Sequence, residues 1–116
     1  MNMKPMKLGL CAGRHDIPGI EGYIFEGDVN PLDLDGMRMA CHQKLKYCSM
    51  LNLYVTGLTV ALVAVINYCC HNHIPLTLWH FNREDGSYYP QEVLTRVDLD
   101  LLVEAGYYPA SMLNNR

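Results

Sequence analysis

Residues 51–70, LNLYVTGLTVALVAVINYCC, constrain the fold of this chain more than any other stretch. The pattern reads as a buried strand over 51–55, a tight turn at Thr56-Gly57-Leu58-Thr59, and an apolar helix beginning near Thr59. The Thr59 hydroxyl is expected to cap an orphan N–H, and a helix apolar nearly all round has to be covered on more than one side. Such a unit aims a helix N-terminus at whatever lies outside the sheet. Free backbone N–H groups and the helix dipole favour phosphate or carboxylate there, and Gly57 lets a ligand approach the backbone closely.

A chain of 116 residues, half of them hydrophobic, is expected to form one α/β ligand-binding domain over residues 1–116 with one core. The net charge is -3 with nine Lys and Arg, which argues against nucleic-acid polymers and anionic membranes as partners, because both require a concentrated basic patch. A local anion site stays open, since Arg14, Arg83, His15 and His80 fall beside predicted strand ends. Five irregularly spaced cysteines and an N-terminus, MNMKPMKLGL, without a signal-peptide core point to a reduced, cytoplasmic protein. Residues 51–70 do not read as a membrane span, because Asn52, Thr56, Gly57, Thr59 and Asn67 interrupt them and no basic flank follows.

Along the chain, KLGLC (7–11) is a short strand entering the loop AGRHDIPG, and residues 22–25 form a strand or an extended edge. Asn30-Pro31 or Asp33 starts a helix whose apolar face is Leu34, Met37, Cys41, Leu45 and Cys48. After the central unit comes a strand over 76–81, then NREDGS as a turn and SYYPQEV as its hairpin partner. Asp98 caps a last helix of about two turns running to Ala105, with Gly106 as its stop. Strands alternating with helices predict an α/β fold, a small Rossmann-like parallel sheet with flanking helices and a C-terminal β-hairpin strand. Ligands in such sheets bind at the C-terminal edge of the strands, where AGRHDIPG, TGLT and HFNRED would meet.

Thr56, Gly57, Leu58 and Thr59 head the candidate binding residues, although they match neither G-x-G-x-x-G nor G-K-[ST]. In a purely structural reading Gly57 relieves a tight turn and Thr59 caps a helix. Gly13, Arg14 and His15 follow the first strand, with Arg14 the preferred phosphate clamp because a guanidinium holds oxyanions bidentately; the alternative is a solvated loop with Arg14 paired to Asp16. At the third strand, alternation sends Trp79 and Phe81 to one face and His80 and Asn82 to the other, with Arg83 following. A base or ribose can stack or hydrogen-bond there, and Tyr88, Tyr89 and Gln91 add groups from the hairpin; the alternative is cross-strand pairing or a subunit contact.

Cys69, Cys70, His71 and His73 carry metal-binding groups, but no paired C-x-x-C or H-x-x-x-H completes a tetrahedral set. The expectation is no metal and no cofactor, with the two cysteines in the core and both histidines solvated at the helix end. For catalysis, His15 or His80 is the candidate general base, oriented by Glu84 or Asp85. No nucleophile elbow, paired-carboxylate motif or Cys-His signature accompanies them, and Ser87 reads as a turn residue. Binding therefore ranks ahead of catalysis.

KLGLCAGRHDIPG, LYVTGLTVALVAVINYC and IPLTLWHFNREDGSYYPQ together resemble small uncharacterised proteins carried by phages and prophages, over most of residues 7–93. More loosely, the architecture resembles the Rossmann-like domains of CRISPR systems that bind cyclic oligonucleotides. The resemblance implies a setting of phage–host conflict, in which anti-defence sponges sequester the nucleotide signals of Thoeris or CBASS systems and ring nucleases cleave such signals. It assigns no residue a role. The expected function is non-enzymatic binding of a small phosphorylated nucleotide, such as a cyclic nucleotide or an ADP-ribose-derived signal; the alternatives are a hydrolase or phosphodiesterase using the same pocket, and a protein-interaction or structural subunit. Self-association as a dimer or a multiple of dimers is also expected, because Trp79, Phe81, Tyr88, Tyr89, Tyr107 and Tyr108 exceed what one small core absorbs.

Overall fold

Leucines at every second position of three strands organise the molecule. The computed structural model describes residues 4–13 and 16–106. In strand β1 (Met6–Cys11), Leu8 and Leu10 point to one face; Leu51 and Leu53 of β3 (Leu51–Tyr54) and Leu76 and Leu78 of β4 (Leu76–Asn82) join them. The register aligns Leu8 with Leu53 and Leu53 with Leu78, so the leucines form one continuous layer. Helix α1 (Leu34–Leu45) lays Met37, Cys41 and Leu45 on this layer, and α2 (Thr59–His71) adds Ala61, Val65 and Cys69. Each large aliphatic side chain withdrawn from water there contributes about 1.5–3 kcal/mol before ordering costs.

The sheet is completed by β2 (Tyr23–Phe25) and β5 (Ser87–Leu94), and its order is β2-β1-β3-β4-β5. The first four strands in this order run parallel and β5 is antiparallel to β4. A short helix, α3 (Arg96–Glu104), follows β5. The fold is thus α/β and Rossmann-like, with a mostly parallel five-stranded sheet and a C-terminal hairpin. Both α1 and α2 lie on the leucine face, and His42 Nδ1 shares a hydrogen bond with the Tyr68 hydroxyl at 3.1 Å between them. The connection from β1 to β2 runs over the opposite face, since Ile20 Cδ1 lies 3.4 Å from where a Cβ on Gly9 would stand.

Several local expectations need correction. Of the two helix starts expected for α1, Asp33 is the one used, its carboxylate accepting the Gly36 N–H at 2.9 Å, but Leu34 in the first turn is exposed while the rest of its predicted stripe is buried. Thr59 is the first helical residue of α2, not its cap; Leu58 holds the cap position and makes no side-chain hydrogen bond. Covered by the sheet and α1, α2 still leaves Val63 and Asn67 outward. Thr95 caps α3, and Asp98 is the reciprocal partner in a capping box. His73 is buried rather than solvated, at φ 58°, with Nε2 3.3 Å from Asp100 Oδ1, because α3 returns over the turn that follows α2. His71 is exposed, as expected, and its Nδ1 bonds the Asn67 carbonyl at 2.7 Å.

Candidate functional site

The strand order makes β1 and β3 neighbours whose continuing chains leave toward opposite faces, so the crevice of the sheet opens between their C-terminal ends. Thr56 stands in that gap and is buried. Its hydroxyl donates to the Cys11 carbonyl at 2.8 Å and accepts the Cys11 N–H at 3.0 Å, replacing the backbone ladder at the point where β3 turns away. Thr56 therefore builds the crevice and spends its hydroxyl in doing so. Gly57 follows with φ +87°, exposed, a conformation that side chains rarely adopt. Leu58 then turns the chain into α2.

The three helix starts differ in how their N–H groups are met. Asp33 closes α1 and the Thr95–Asp98 box closes α3, whereas among the described residues no side chain caps the start of α2. Its first-turn N–H groups and the positive end of a 13-residue helix face the crevice edge. Gly13, at φ +81°, is the last described residue of the β1 loop before Arg14. Arg14 and His15 lie outside the described residues.

Beyond the crevice, the sheet separates the remaining candidates. Cross-strand pairing of His80 with Tyr89 and of Phe81 with Tyr88 puts His80 and Tyr88 on opposite faces, so one ligand lying on one face cannot be read by both. His80 Nε2 bonds Gln91 Oε1 at 2.7 Å, and its ring tilts against Tyr89. Asn82 Oδ1 accepts the Glu84 N–H at 3.0 Å within the hairpin turn, which Gly86 closes by donating to the Asn82 carbonyl at 2.8 Å. Arg83 is exposed in that turn. Asp85 accepts from Ser87 N–H and Oγ, which holds its carboxyl below the usual range. These turn groups are occupied by one another, and among the described residues neither Glu84 nor Asp85 is hydrogen-bonded to His80.

The face away from the helices carries a group that alternation only half reveals. Tyr54 pairs with Trp79 across β3 and β4, their rings stacked at 5.7 Å and 14°. Tyr88 stands edge-on to Tyr54 at 5.2 Å, and Phe81 tilts against Tyr88 at 5.3 Å. On the other side Gly9 leaves room for Tyr23, whose ring carbons lie 2.5 Å from where a Gly9 Cβ would be. Burial, then the neighbouring Tyr23 and Tyr54 phenols, push the Tyr88 phenol above its ordinary value.

A concavity of about 260 Å³ opens elsewhere, between the end of β2 and the start of α1, lined by Phe25, Asp28, Val29, Asp33, Met37 and Ala40. Its carboxylates make it a poor place for an anion. Nothing in the apolar pattern announces it, because it forms only once Asp33 closes α1 beside the sheet edge. Among the described residues no cluster of three or more His, Cys, Asp or Glu side chains is placed to hold a metal ion, and no helix is long and apolar enough to cross a membrane.

Comparison of the chain with protein-family models, with curated proteins and with solved structures finds no match in any of the three. What the structure retains of the phage and CRISPR resemblance is the α/β architecture with its mostly parallel sheet.

Proposed function

We propose that this protein binds a small phosphorylated nucleotide at the crevice between β1 and β3, without altering it. The observation that carries this reading is the uncapped start of α2 beside an exposed, positive-φ Gly57, at the point in the strand order where open α/β sheets take ligands. A phosphate there accepts N–H donors that no side chain of α2 satisfies. Gly57 adds close approach, and Thr56 holds both strand ends in register beneath it. Sequestration of an immune nucleotide in phage–host conflict extends this reading and rests on the sequence resemblance alone.

A panel of nucleotides, linear, cyclic and ADP-ribose-derived, tests the proposal by thermal melting. A ligand selective for the folded state raises stability by about 2.7 kcal/mol at a concentration one hundred times its Kd. No shift with any member contradicts the reading. Analysis of the small molecule after denaturing the complex separates sequestration from hydrolysis, since intact ligand supports binding alone and cleaved ligand supports the alternative.

Self-association stands as a second proposal. Of the aromatics that motivate it, Trp79 and Tyr88 pack with Tyr54, Phe81 and Tyr89 are exposed, and Tyr107 and Tyr108 lie outside the described residues; among the described residues the apolar side chains left most open are Leu32 and Tyr47 at the two ends of α1, 88% and 91% exposed. A dimer mass in light scattering at micromolar protein supports it, and a monomer mass contradicts it.

A further inference from the structure

We propose that the face of the sheet away from α1 and α2, where Tyr54, Trp79 and Tyr88 meet beside Tyr23, binds the planar heteroaromatic ring of a nucleobase. This rests on the nucleotide reading of the crevice and assigns the half of the ligand that the α2 N-terminus cannot recognise. Tyr54 is the last residue of β3, two positions before Thr56, so the aromatic face begins where the crevice ends.

Three features point to a ring as the occupant. The face is built from ring surfaces, Tyr54 stacked on Trp79 with Tyr88 edge-on, and stacking on such surfaces suits any base. Its polar groups lie at ring edges: Tyr54 and Tyr88 bring phenols from β3 and β5 together, and Trp79 Nε1 is fixed by donating to Asn52 Oδ1 at 3.2 Å. Its size is the third. Four strand spacings of about 4.8 Å by two or three residues of strand at about 3.3 Å enclose about 130–190 Å², against the roughly 800 Å² per partner of a standard protein interface. Such a patch fits one or two rings and is too small for a second copy of the chain. Pairing of copies along β5 is opposed by Pro90 within that edge strand.

Trp79 is the single tryptophan of the chain, so its emission reports on this face directly. The full-length protein is titrated with adenosine, guanosine, cytidine and uridine, and with their 5′-monophosphates, while Trp79 fluorescence and thermal melting are followed. A saturable change in emission with at least one nucleoside is expected. Tyr88→Leu should weaken it roughly tenfold or more, while Tyr89→Leu, on the opposite face of the same strand, should leave it unchanged. Tyr88→Phe keeps the ring and serves if Tyr88→Leu does not fold; losing the hydroxyl should weaken binding about two- to tenfold.

The outcomes separate the two readings. Monophosphates that raise the melting temperature while Trp79 emission stays flat and Tyr88→Leu has no effect would overturn the ring site and leave the crevice standing. Nucleosides that bind as tightly as their monophosphates would support the ring site and overturn the phosphate site. No response to either series overturns both. A Trp79 shift that follows protein concentration alone, with no ligand effect, assigns the face to a second copy and overturns the proposal.

Discussion

The Thr56 hydroxyl is bonded to both backbone groups of Cys11, 45 residues away, donating to its carbonyl and accepting its N–H. It fastens β1 to β3 at the edge where the ladder ends. Thr56→Val preserves shape but removes this partner from two buried backbone groups, and the expected loss is about 1–3 kcal/mol in urea denaturation. Thr56→Ser should retain most of the stability. Equal stability of Thr56→Val and wild type would show that the clamp is not structural.

Gly9→Ala tests how the aromatic face is assembled. A methyl group there meets the Tyr23 ring, which must move because the β1 backbone cannot. The expected cost is about 1–3 kcal/mol, and Tyr23→Ala should relieve most of it in the double variant. Additive losses would contradict the contact.

The capping box of α3 makes its stability depend on pH. Hydrogen bonds from the Thr95 hydroxyl and N–H hold the Asp98 carboxyl below its ordinary value. The folded state then binds its proton later than the unfolded state, so the contribution is complete above the ordinary range near pH 4 and is lost as acid protonates the folded carboxylate. Protection of the α3 amides against exchange, relative to free amides at the same pH, should fall in that acid window. Asp98→Asn should remove the dependence, and an unchanged acid profile in that variant would contradict the assignment.

Burial pushes the Cys41 thiol up to about 11. At pH 8 this thiol is almost wholly protonated and shielded, and thiolate is the reactive form. Iodoacetamide followed by peptide mass spectrometry should leave Cys41 unmodified in the folded protein and modify it in urea. Labelling of native Cys41 at the rate of the urea-unfolded chain would contradict its place in the core.

The apolar patterns carried most of the fold. Met37, Cys41 and Leu45 at helical spacing, and the leucines at strand spacing, mark their elements because burial acts on every one of those positions. The three-residue β2 has no period to read and owes its place to pairing with Gly9 and Cys11. Long-range partners were the hidden part. Thr56 reads as a free donor until Cys11 is beside it, and His73 reads as solvated until Asp100 returns on α3. The separation of His80 from Tyr88 depends on hairpin register, which the turn sequence suggests and only the pairing fixes. The position of the α2 terminus at the sheet edge, by contrast, was legible in TGLT because the strand, glycine and helix are consecutive; its lack of a cap was not, since Thr59 reads as the cap and is instead the first helical residue.

Amide chemical shifts report most directly on whether the α2 N-terminus holds a phosphate. Nitrogen-15-labelled protein is titrated with the nucleotides of the panel while the backbone N–H signals of Gly57, Leu58, Thr59 and Val60 are followed. A phosphorylated nucleotide is expected to shift these amides saturably, and its dephosphorylated nucleoside to move them far less. Phosphate binding at this terminus is contradicted if these amides stay in place throughout, or if the nucleotide moves only residues around Phe25 and Asp33.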